Sequence, residues 1–259
     1  MAVLFGLNYM RSIITWLFCC ISLLGCSEQN TAKISISPQV NNAVFNCQSA
    51  IQQDSKSWQL AQLFLFAHNI KYQDQDNNWH TLKLADNKYQ SQQVALLGVD
   101  CEDTDEQNWQ LALQDNIATE DMQAIRITIG VPFALNHVNP LSQDSPLNVP
   151  NMFWVWQTGH KFVRMEMNAS DDGYWLFHLG STGCSSASSL RAPNSPCLYP
   201  NTFTIDLSKA ANHHFELAID SWFQGLIFDD DSSCQSHKDN PYCQQIFDNL
   251  NINYTAVAQ

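Results

Sequence analysis

The chain contains 259 residues, of which 45% are hydrophobic and 11% aromatic. This length and apolar content allow a substantial core, which excludes a disordered protein and predicts one large domain or two closely packed ones. The formal net charge is −13, from 12 basic and 25 acidic residues. Scattered basic residues in this excess of acid exclude a nucleic-acid-binding protein, which needs clustered lysine and arginine to neutralise phosphates.

The N-terminus has the pattern of a bacterial lipoprotein signal. Arg11 precedes an apolar run over residues 12–24, which is followed by Gly25 and Cys26 to give Leu-Leu-Gly-Cys. The run is shorter than the roughly 20 residues that a membrane-spanning helix needs. We therefore predict a signal peptide at residues 1–25 and a lipid on Cys26. The serine that follows, in place of aspartate, favours the periplasmic face of the outer membrane.

The mature chain is predicted to begin with a tether and to continue as a single β-rich domain. Residues 26–42 are polar and rich in small side chains, which favours a flexible tether before a domain at residues 43–259. Beyond Ala43, short apolar runs alternate with clusters of turn-forming residues, a pattern typical of all-β proteins. The predicted strands lie at residues 62–72, 79–84, 93–99, 125–129, 152–156, 174–179, 202–207 and 215–219.

The segments between these strands complete the expected architecture. Turn signals rich in Asp, Asn and Gly at residues 74–78 and 171–173 favour antiparallel hairpins. Residues 239–250 have the composition of a short C-terminal helix. Residues 132–150 and 185–201 are long loops, and loops of that length often carry function. We predict an all-β fold: an antiparallel β-sandwich-like domain with long loops, a short C-terminal helix and disulfides.

Cysteine usage agrees with export from the cytoplasm. After the signal and the lipidated residue are set aside, six cysteines remain, and an even number in an oxidising compartment predicts three disulfides. None of the spacings is C-x-x-C, so a structural zinc–thiolate site is not expected. Loop length favours two short pairs and one long pair: Cys184 with Cys197, Cys234 with Cys243, and Cys47 with Cys101.

Tryptophans are concentrated next to the first long loop. If residues 152–157 form a strand, alternation places Met152, Trp154 and Trp156 on one face. Core packing explains such a face, because aromatic side chains bury large areas. Two other interpretations are a platform for stacking sugars and a tryptophan beside a redox metal.

Three histidines have the setting of metal ligands. His68 lies in an apolar strand, His137 begins a long loop, and His178 precedes a Gly-Ser-Thr-Gly turn. A mononuclear copper site needs two or more neutral imidazoles in a pocket that limits water, and a thioether such as that of Met152 can join them. His80 and His237 are interpreted as surface residues, and the adjacent pair at 213 and 214 points to opposite faces of a strand, so it cannot readily share one site.

Signals for an enzyme are weak. Ser181 follows His178-Leu-Gly, but this is not the G-x-S-x-G elbow of an activated serine. The sequence contains no phosphate-binding loop, no H-E-x-x-H and no C-x-x-C-H haem attachment.

Several ordered phrases resemble the MbnP family, the four-cysteine member of a paired metal-protein system. The phrases are QLFLFAHNIKY at residues 62–72, QVALLGVDCED at 93–103, GVPFALNHVNP at 130–140, PLNVPNMFWVWQTGHKFVR at 146–164, HLGSTGC at 178–184 and PCLYPN at 196–201. The resemblance implies a periplasmic copper-binding protein whose partner is a di-haem cytochrome c peroxidase-like enzyme. In such systems the enzyme is thought to oxidise a tryptophan to kynurenine, whose aromatic amine can ligate metal.

The resemblance also carries over to individual residues. His137 and His178 match positions where the family has histidine, while His68 matches a more variable one. Trp154 and Trp156 match the family's tryptophan pair, with the modified one unassigned. His160 stands where the family usually has tyrosine, so it could add a ligand. The last four cysteines match the four-cysteine pattern.

These observations lead to one main expectation. The chain is expected to be a lipid-anchored periplasmic protein that captures, stores or delivers copper and is not an enzyme. Its ligands are expected to be His137 and His178, joined by His68, Met152 or a modified tryptophan. The alternative is a lipoprotein that binds carbohydrate on the face of Trp154 and Trp156, and a weaker one is a hydrolase that uses Ser181.

Overall fold

A computed structural model describes residues 32–53, 55–103, 107–155, 157–210 and 214–253. The predicted signal peptide, the predicted lipidation site Cys26 and Trp156 lie outside the described residues. The described residues belong to one compact unit. In the described part, the strands are β1 Lys33–Val40, β2 Ala43–Val44, β3 Ala50–Gln53, β4 Lys56–Gln73, β5 Trp79–Thr81, β6 Gln90–Ser91, β7 Val94–Asp100, β8 Gln107–Asn108, β9 Gln110–Ala112, β10 Ala124–Ile129, β11 Lys161–Ala169, β12 Tyr174–Gly180, β13 Phe203–Lys209 and β14 Phe215–Ala218.

Short helices occupy the segments between and after these strands. The described α-helices are α1 Phe133–Asn136 and α2 Pro241–Asn249, and 3-10 helices lie at Thr119–Asp121, Pro140–Ser142, Pro150–Met152 and Asp220–Phe223. The sequence prediction of a C-terminal helix over residues 239–250 is confirmed by α2. This helix begins after Asn240, whose side chain accepts hydrogen bonds from the backbone N–H groups of Tyr242 and Cys243.

The 18-residue strand β4 organises the sheet. On one edge it pairs with β11 and β10, and on the other with β3, β7 and β5. Beyond β10 the order continues through β13, β14 and β1. The pairing of β1 with β14 is parallel, whereas the other pairings within the described residues are antiparallel. The predicted all-β fold with long loops, a short C-terminal helix and disulfides is confirmed.

Alternation along the central strands builds the core. Leu63, Leu65 and Ala67 of β4 are fully buried, as are the inward-facing residues of β10 and β11. A second layer of aromatic residues lies against β12, where Trp175 packs on Phe223 and Phe228 with ring centroids 5.0 and 4.7 Å apart. The sheet therefore has a rigid interior from which the long loops project.

The predicted disulfide pairs are confirmed: Cys47 with Cys101, Cys184 with Cys197, and Cys234 with Cys243. The last pair connects α2 to a segment that runs beside β12, where the backbone of Cys234 exchanges hydrogen bonds with Leu176 and His178. The helix is thereby fixed to the edge of the sheet.

Two sequence predictions about secondary structure are wrong. The tether predicted over residues 26–42 overlaps β1, where Ile34 and Ile36 are buried between flanking strands. Serines alternate with the buried isoleucines of this strand, and this composition of small polar residues led to the prediction of a tether. The strand predicted over residues 152–156 is not formed at the described residues 152–155 either. Met152 ends the 3-10 helix Pro150–Met152, and Phe153 makes only an isolated bridge with His160.

Candidate metal site

The loop after β10 places His137 at the end of a short helix. Pro132 precedes α1, and His137 caps its C-terminus with φ −111° and ψ 10°. Asn139 then accepts a hydrogen bond from the backbone N–H of Leu141 and starts the next 3-10 helix. These two caps fix the backbone on both sides of His137, whose side chain and backbone together are only 6% exposed.

The buried amide of Asn136 connects this loop to its surroundings. Its Oδ1 accepts a hydrogen bond of 2.8 Å from the backbone N–H of His160, and its Nδ2 donates to Oγ of Ser181 at 3.3 Å. The same Nδ2 lies 3.2 Å from Nε2 of His137. Because an amide nitrogen only donates, Nε2 of His137 accepts and carries a lone pair. The amide occupies that lone pair, so a metal could bind Nε2 of His137 only by displacing this hydrogen bond.

Two glycines permit the close packing around this amide. Gly159 has a φ of +78°, and a Cβ there would stand 2.5 Å from the carbonyl oxygen of Asn136. At Gly180, a Cβ would stand 2.7 Å from Cζ3 of Trp154. The indole of Trp154 therefore lies directly on the β12 backbone, next to the segment that contains Ser181.

Two sulfur atoms lie beside His137. Nε2 of His137 is 3.7 Å from Sγ of Cys197, and the ligand atoms of His137, Cys184 and Cys197 all lie within 4.8 Å of one another. This spacing suits a metal, but the two sulfurs are bonded to each other. A disulfide sulfur is a far weaker donor than a thiolate. In the disulfide form, the imidazole is the strong donor of this group.

A surface recess opens over His137. Its volume is roughly 1170 Å³, and it lies between Asn139 and the loop that the Cys184–Cys197 disulfide closes. The loop supplies most of the wall: Ala187, Ser188, Leu190, Arg191, Ala192 and Asn194. An ion can therefore reach the imidazole from solvent.

His178 belongs to a separate polar network on β11 and β12. Its Nε2 lies 2.7 Å from Oε1 of Glu166, which also accepts a hydrogen bond of 2.8 Å from Nε of Arg164. Burial by itself raises the pKa of Glu166, but the hydrogen bonds from His178 and Arg164 outweigh it and lower the pKa from 4.5 to about 2. Burial lowers the pKa of His178 despite the hydrogen bond to Glu166. A neutral His178 that donates from Nε2 keeps its lone pair on Nδ1.

Of the other predicted ligands, His68 is half-buried and Met152 is buried. His68 lies opposite Thr128 of β10 and Val94 of β7. Its Nε2 is buried and has no hydrogen-bond partner among the described residues, and burial lowers its pKa. Met152 is fully buried at the end of its 3-10 helix. Among the described residues, no group of ligand atoms within 4.8 Å unites the three predicted histidines.

His160 has a structural setting that does not suit a ligand. It is fully buried, with Nδ1 3.0 Å from the carbonyl oxygen of Asn136 and Nε2 2.9 Å from that of Leu147. Its ring meets Phe66 and Phe153 edge to face. Both ring nitrogens face backbone carbonyl oxygens, and a neutral imidazole can donate to only one of them.

The strand expected to carry the tryptophan face is not formed over residues 152–155. Trp154 is partly buried against Gly180, and its backbone N–H donates to the carbonyl of Gly159 at 3.0 Å. The strand alternation on which the shared face depended is therefore absent from these residues.

Ser181 makes no contact that would activate it as a nucleophile. Its hydroxyl contacts Asn136 and the carbonyl oxygen of Pro200. A catalytic serine needs a histidine within hydrogen-bond reach, oriented by a carboxylate. His178 has such a carboxylate in Glu166, but the described contacts of Ser181 include no histidine.

Sequence reasoning missed three features of this region. Asn136 was noted only as the residue before His137, and Glu166 lay outside every predicted strand and motif. The proximity of the Cys184–Cys197 disulfide to His137 joins positions 60 residues apart. No sequence spacing encodes that distance.

Comparison with known proteins gives one family. The MbnP family model matches residues 29–236. The chain is also similar to the solved structure of MbnP from Methylosinus trichosporium, with a TM-score of 0.68 and 19% sequence identity. That match covers 83% of this chain and 86% of the solved one, and at this identity it concerns the fold. No curated protein matches the sequence.

Proposed function

Because the chain belongs to the MbnP family, which links it to methanobactin-related, copper-associated proteins, we propose that it binds copper for capture, storage or delivery. The observation that carries this proposal is that His137 lines an open recess. Neutral imidazole is a good copper ligand, and the fixed backbone around it limits the cost of ordering the site. In this proposal copper is the cargo and the protein is not an enzyme.

His178 and His68 are the further candidate donors. His178 has the arrangement common among metal-bound histidines, in which one ring nitrogen donates to a carboxylate and the other holds the lone pair. His68 offers a buried Nε2 that the described structure leaves unsatisfied. Such groups carry a free-energy penalty that metal binding would remove. Met152 has a buried thioether suited to the softer Cu(I).

A modified tryptophan would add a third kind of ligand, an aromatic amine. In this proposal a di-haem cytochrome c peroxidase-like partner uses two molecules of hydrogen peroxide to cleave the indole C2–C3 bond of one tryptophan, which places one oxygen on each carbon and releases two waters. Hydrolysis of the resulting N-formylkynurenine then releases formate and leaves kynurenine. Trp154 is the best described candidate, because it is partly exposed and lies on Gly180 in the same packed group as Asn136. Trp58 and Trp175, in contrast, are fully buried.

The same proposal places the protein on the periplasmic face of a bacterial outer membrane, anchored through a lipid on Cys26. The three disulfides support an oxidising compartment. Over the described residues, no helix has the length and apolar character required to cross a membrane.

The test is metal analysis of protein purified from its native periplasm, with peptide mass spectrometry of the tryptophans. We expect bound copper, and kynurenine at one tryptophan. His137→Ala should reduce the copper content, whereas His80→Ala should not, because His80 is exposed and paired with Asp74. Native protein without copper, under both oxidising and reducing conditions, would contradict the proposal.

A further inference from the structure

The Cys184–Cys197 disulfide differs from the other two in its neighbour. Nε2 of His137 lies 3.7 Å from Cys197, and Cys184 completes a group of three potential ligand atoms within 4.8 Å. Cys234 and Cys243 are fully buried. Cys47 and Cys101 are partly buried, but no described histidine forms such a group with them. One disulfide therefore combines an adjacent imidazole with solvent access.

The two cysteines of this disulfide differ in their exposure to solvent. Cys197 is only 3% exposed, whereas Cys184 is partly exposed on the loop beside the recess. Thiol–disulfide exchange needs an external thiolate to reach a sulfur in line with the bond. Cys184 offers that approach, and the leaving sulfur of Cys197 would then be released next to the imidazole of His137.

Backbone hydrogen bonds hold the two cysteines together independently of the disulfide. Thr182 and Tyr199 donate to each other's carbonyls at 2.9 and 3.1 Å, and the N–H of Leu198 donates to the carbonyl of Gly183 at 3.2 Å. These bonds join the residues directly before Cys184 to those directly after Cys197. After reduction, the two thiols would therefore stay near each other and near His137.

We propose that this disulfide is a redox gate: when a dithiol reduces it, Cys184, Cys197 and His137 form a Cu(I) site with two thiolates and one imidazole. The reaction transfers two electrons. The S–S bond breaks, the dithiol becomes a cyclic disulfide, and its two protons pass to the cysteine sulfurs. Binding of Cu(I) then releases these two protons to water as the sulfurs coordinate as thiolates.

The donor set selects the reduced metal. Thiolates are soft ligands and favour Cu(I), whereas imidazole accepts either oxidation state. The inference deepens the proposed copper function and rests on it. The disulfide form would hold copper through nitrogen donors, and the reduced form would gain sulfur donors.

The experiment compares three forms of the mature chain under anaerobic conditions: oxidised, reduced with dithiothreitol, and reduced then alkylated with iodoacetamide. Cu(I) is titrated against a chromophoric chelator, and copper X-ray absorption identifies the donor atoms. We expect reduction to add one Cu(I) per chain with sulfur ligands, and alkylation to remove it. Peptide mapping of the alkylated cysteines confirms which disulfide opened.

Matched variants locate the site. Cys184→Ser/Cys197→Ser should lose the additional Cu(I), whereas Cys47→Ser/Cys101→Ser should keep it. His137→Ala should keep the sulfur donors but lose the nitrogen donor. The inference is overturned if reduction adds no Cu(I), if the added Cu(I) has no sulfur ligand, or if it survives in the Cys184→Ser/Cys197→Ser variant. Copper binding by the oxidised form tests the proposed function, whereas the Cu(I) gained on reduction tests the redox gate. The failure of one proposal can therefore be distinguished from the failure of the other.

Discussion

The Nδ2 amide of Asn136 lies 3.2 Å from Nε2 of the adjacent His137, so two consecutive side chains are joined at the base of the recess. The same amide group also holds the backbone of His160 through its Oδ1 and the hydroxyl of Ser181 through its Nδ2. A candidate ligand is thus oriented by a residue that also connects three separate segments of the chain.

Asn136→Ala is expected to destabilise the fold. The residue is only 1% exposed, and its loss leaves the buried N–H of His160 without a partner, at a cost of about 2–3 kcal/mol. Chemical denaturation measures the stability. Asn151→Ala, at an exposed asparagine, is the control and should change stability by less than about 0.5 kcal/mol. Equal effects of the two substitutions would contradict the structural role of Asn136.

Glu166 should make the stability of the folded protein depend on pH. Its pKa is lowered from 4.5 to about 2 in the folded protein, so its contribution is fully present above pH 4.5 and is lost as the pH falls towards 2. With partial exposure taken into account, the contribution is about 2 kcal/mol. Denaturation of the wild type and of Glu166→Gln at pH 6 and pH 2.5 should show a difference at pH 6 that shrinks at pH 2.5. A difference that is independent of pH would refute this assignment.

Gly180→Ala is expected to displace Trp154. The added Cβ would stand 2.7 Å from the indole and 2.8 Å from the carbonyl oxygen of His160, and overpacking of this kind costs about 1–3 kcal/mol. We expect lower stability, altered tryptophan emission and less kynurenine in native protein. Gly173→Ala is the matched control, since its nearest contacts would be ordinary ones at 3.4 Å. A Gly180→Ala protein with unchanged emission and stability would show that the contact can relax without cost.

His68→Leu should separate stability from copper binding. Removing a buried Nε2 that has no partner among the described residues should stabilise the folded protein by about 1 kcal/mol. Burial lowers the pKa of His68 below 6.5, so the wild type should lose stability as the pH falls below 6.5. The variant should lack that component of the pH dependence.

Copper titration of His68→Leu provides the functional half of this prediction. A lower copper affinity in a more stable protein would identify His68 as a ligand. His80→Leu, at an exposed site, should change neither property. Unchanged copper affinity in His68→Leu would remove His68 from the ligand set.

The amino-acid sequence by itself determined the features that depend on local pattern. Alternation and turn residues indicated the β-rich fold, Asn240 and Pro241 begin the C-terminal helix, and the separations between cysteines predicted all three disulfides. The local pattern gave a wrong prediction where hydrogen bonding between distant strands determines the secondary structure. Residues 33–40 were interpreted as a tether, yet β1 is stabilised by pairing with β14 and β9, which lie far away in the chain.

The tertiary structure alone decided the arrangement of the candidate site. It replaced the strand expected from Met152 with the end of the Pro150–Met152 3-10 helix and the turn at Gly159. It also placed the sulfur of Cys197 beside His137, while His178 pairs with Glu166. The physical reason is that ligand geometry depends on distances of a few ångströms between distant segments, and packing of the whole sheet sets those distances.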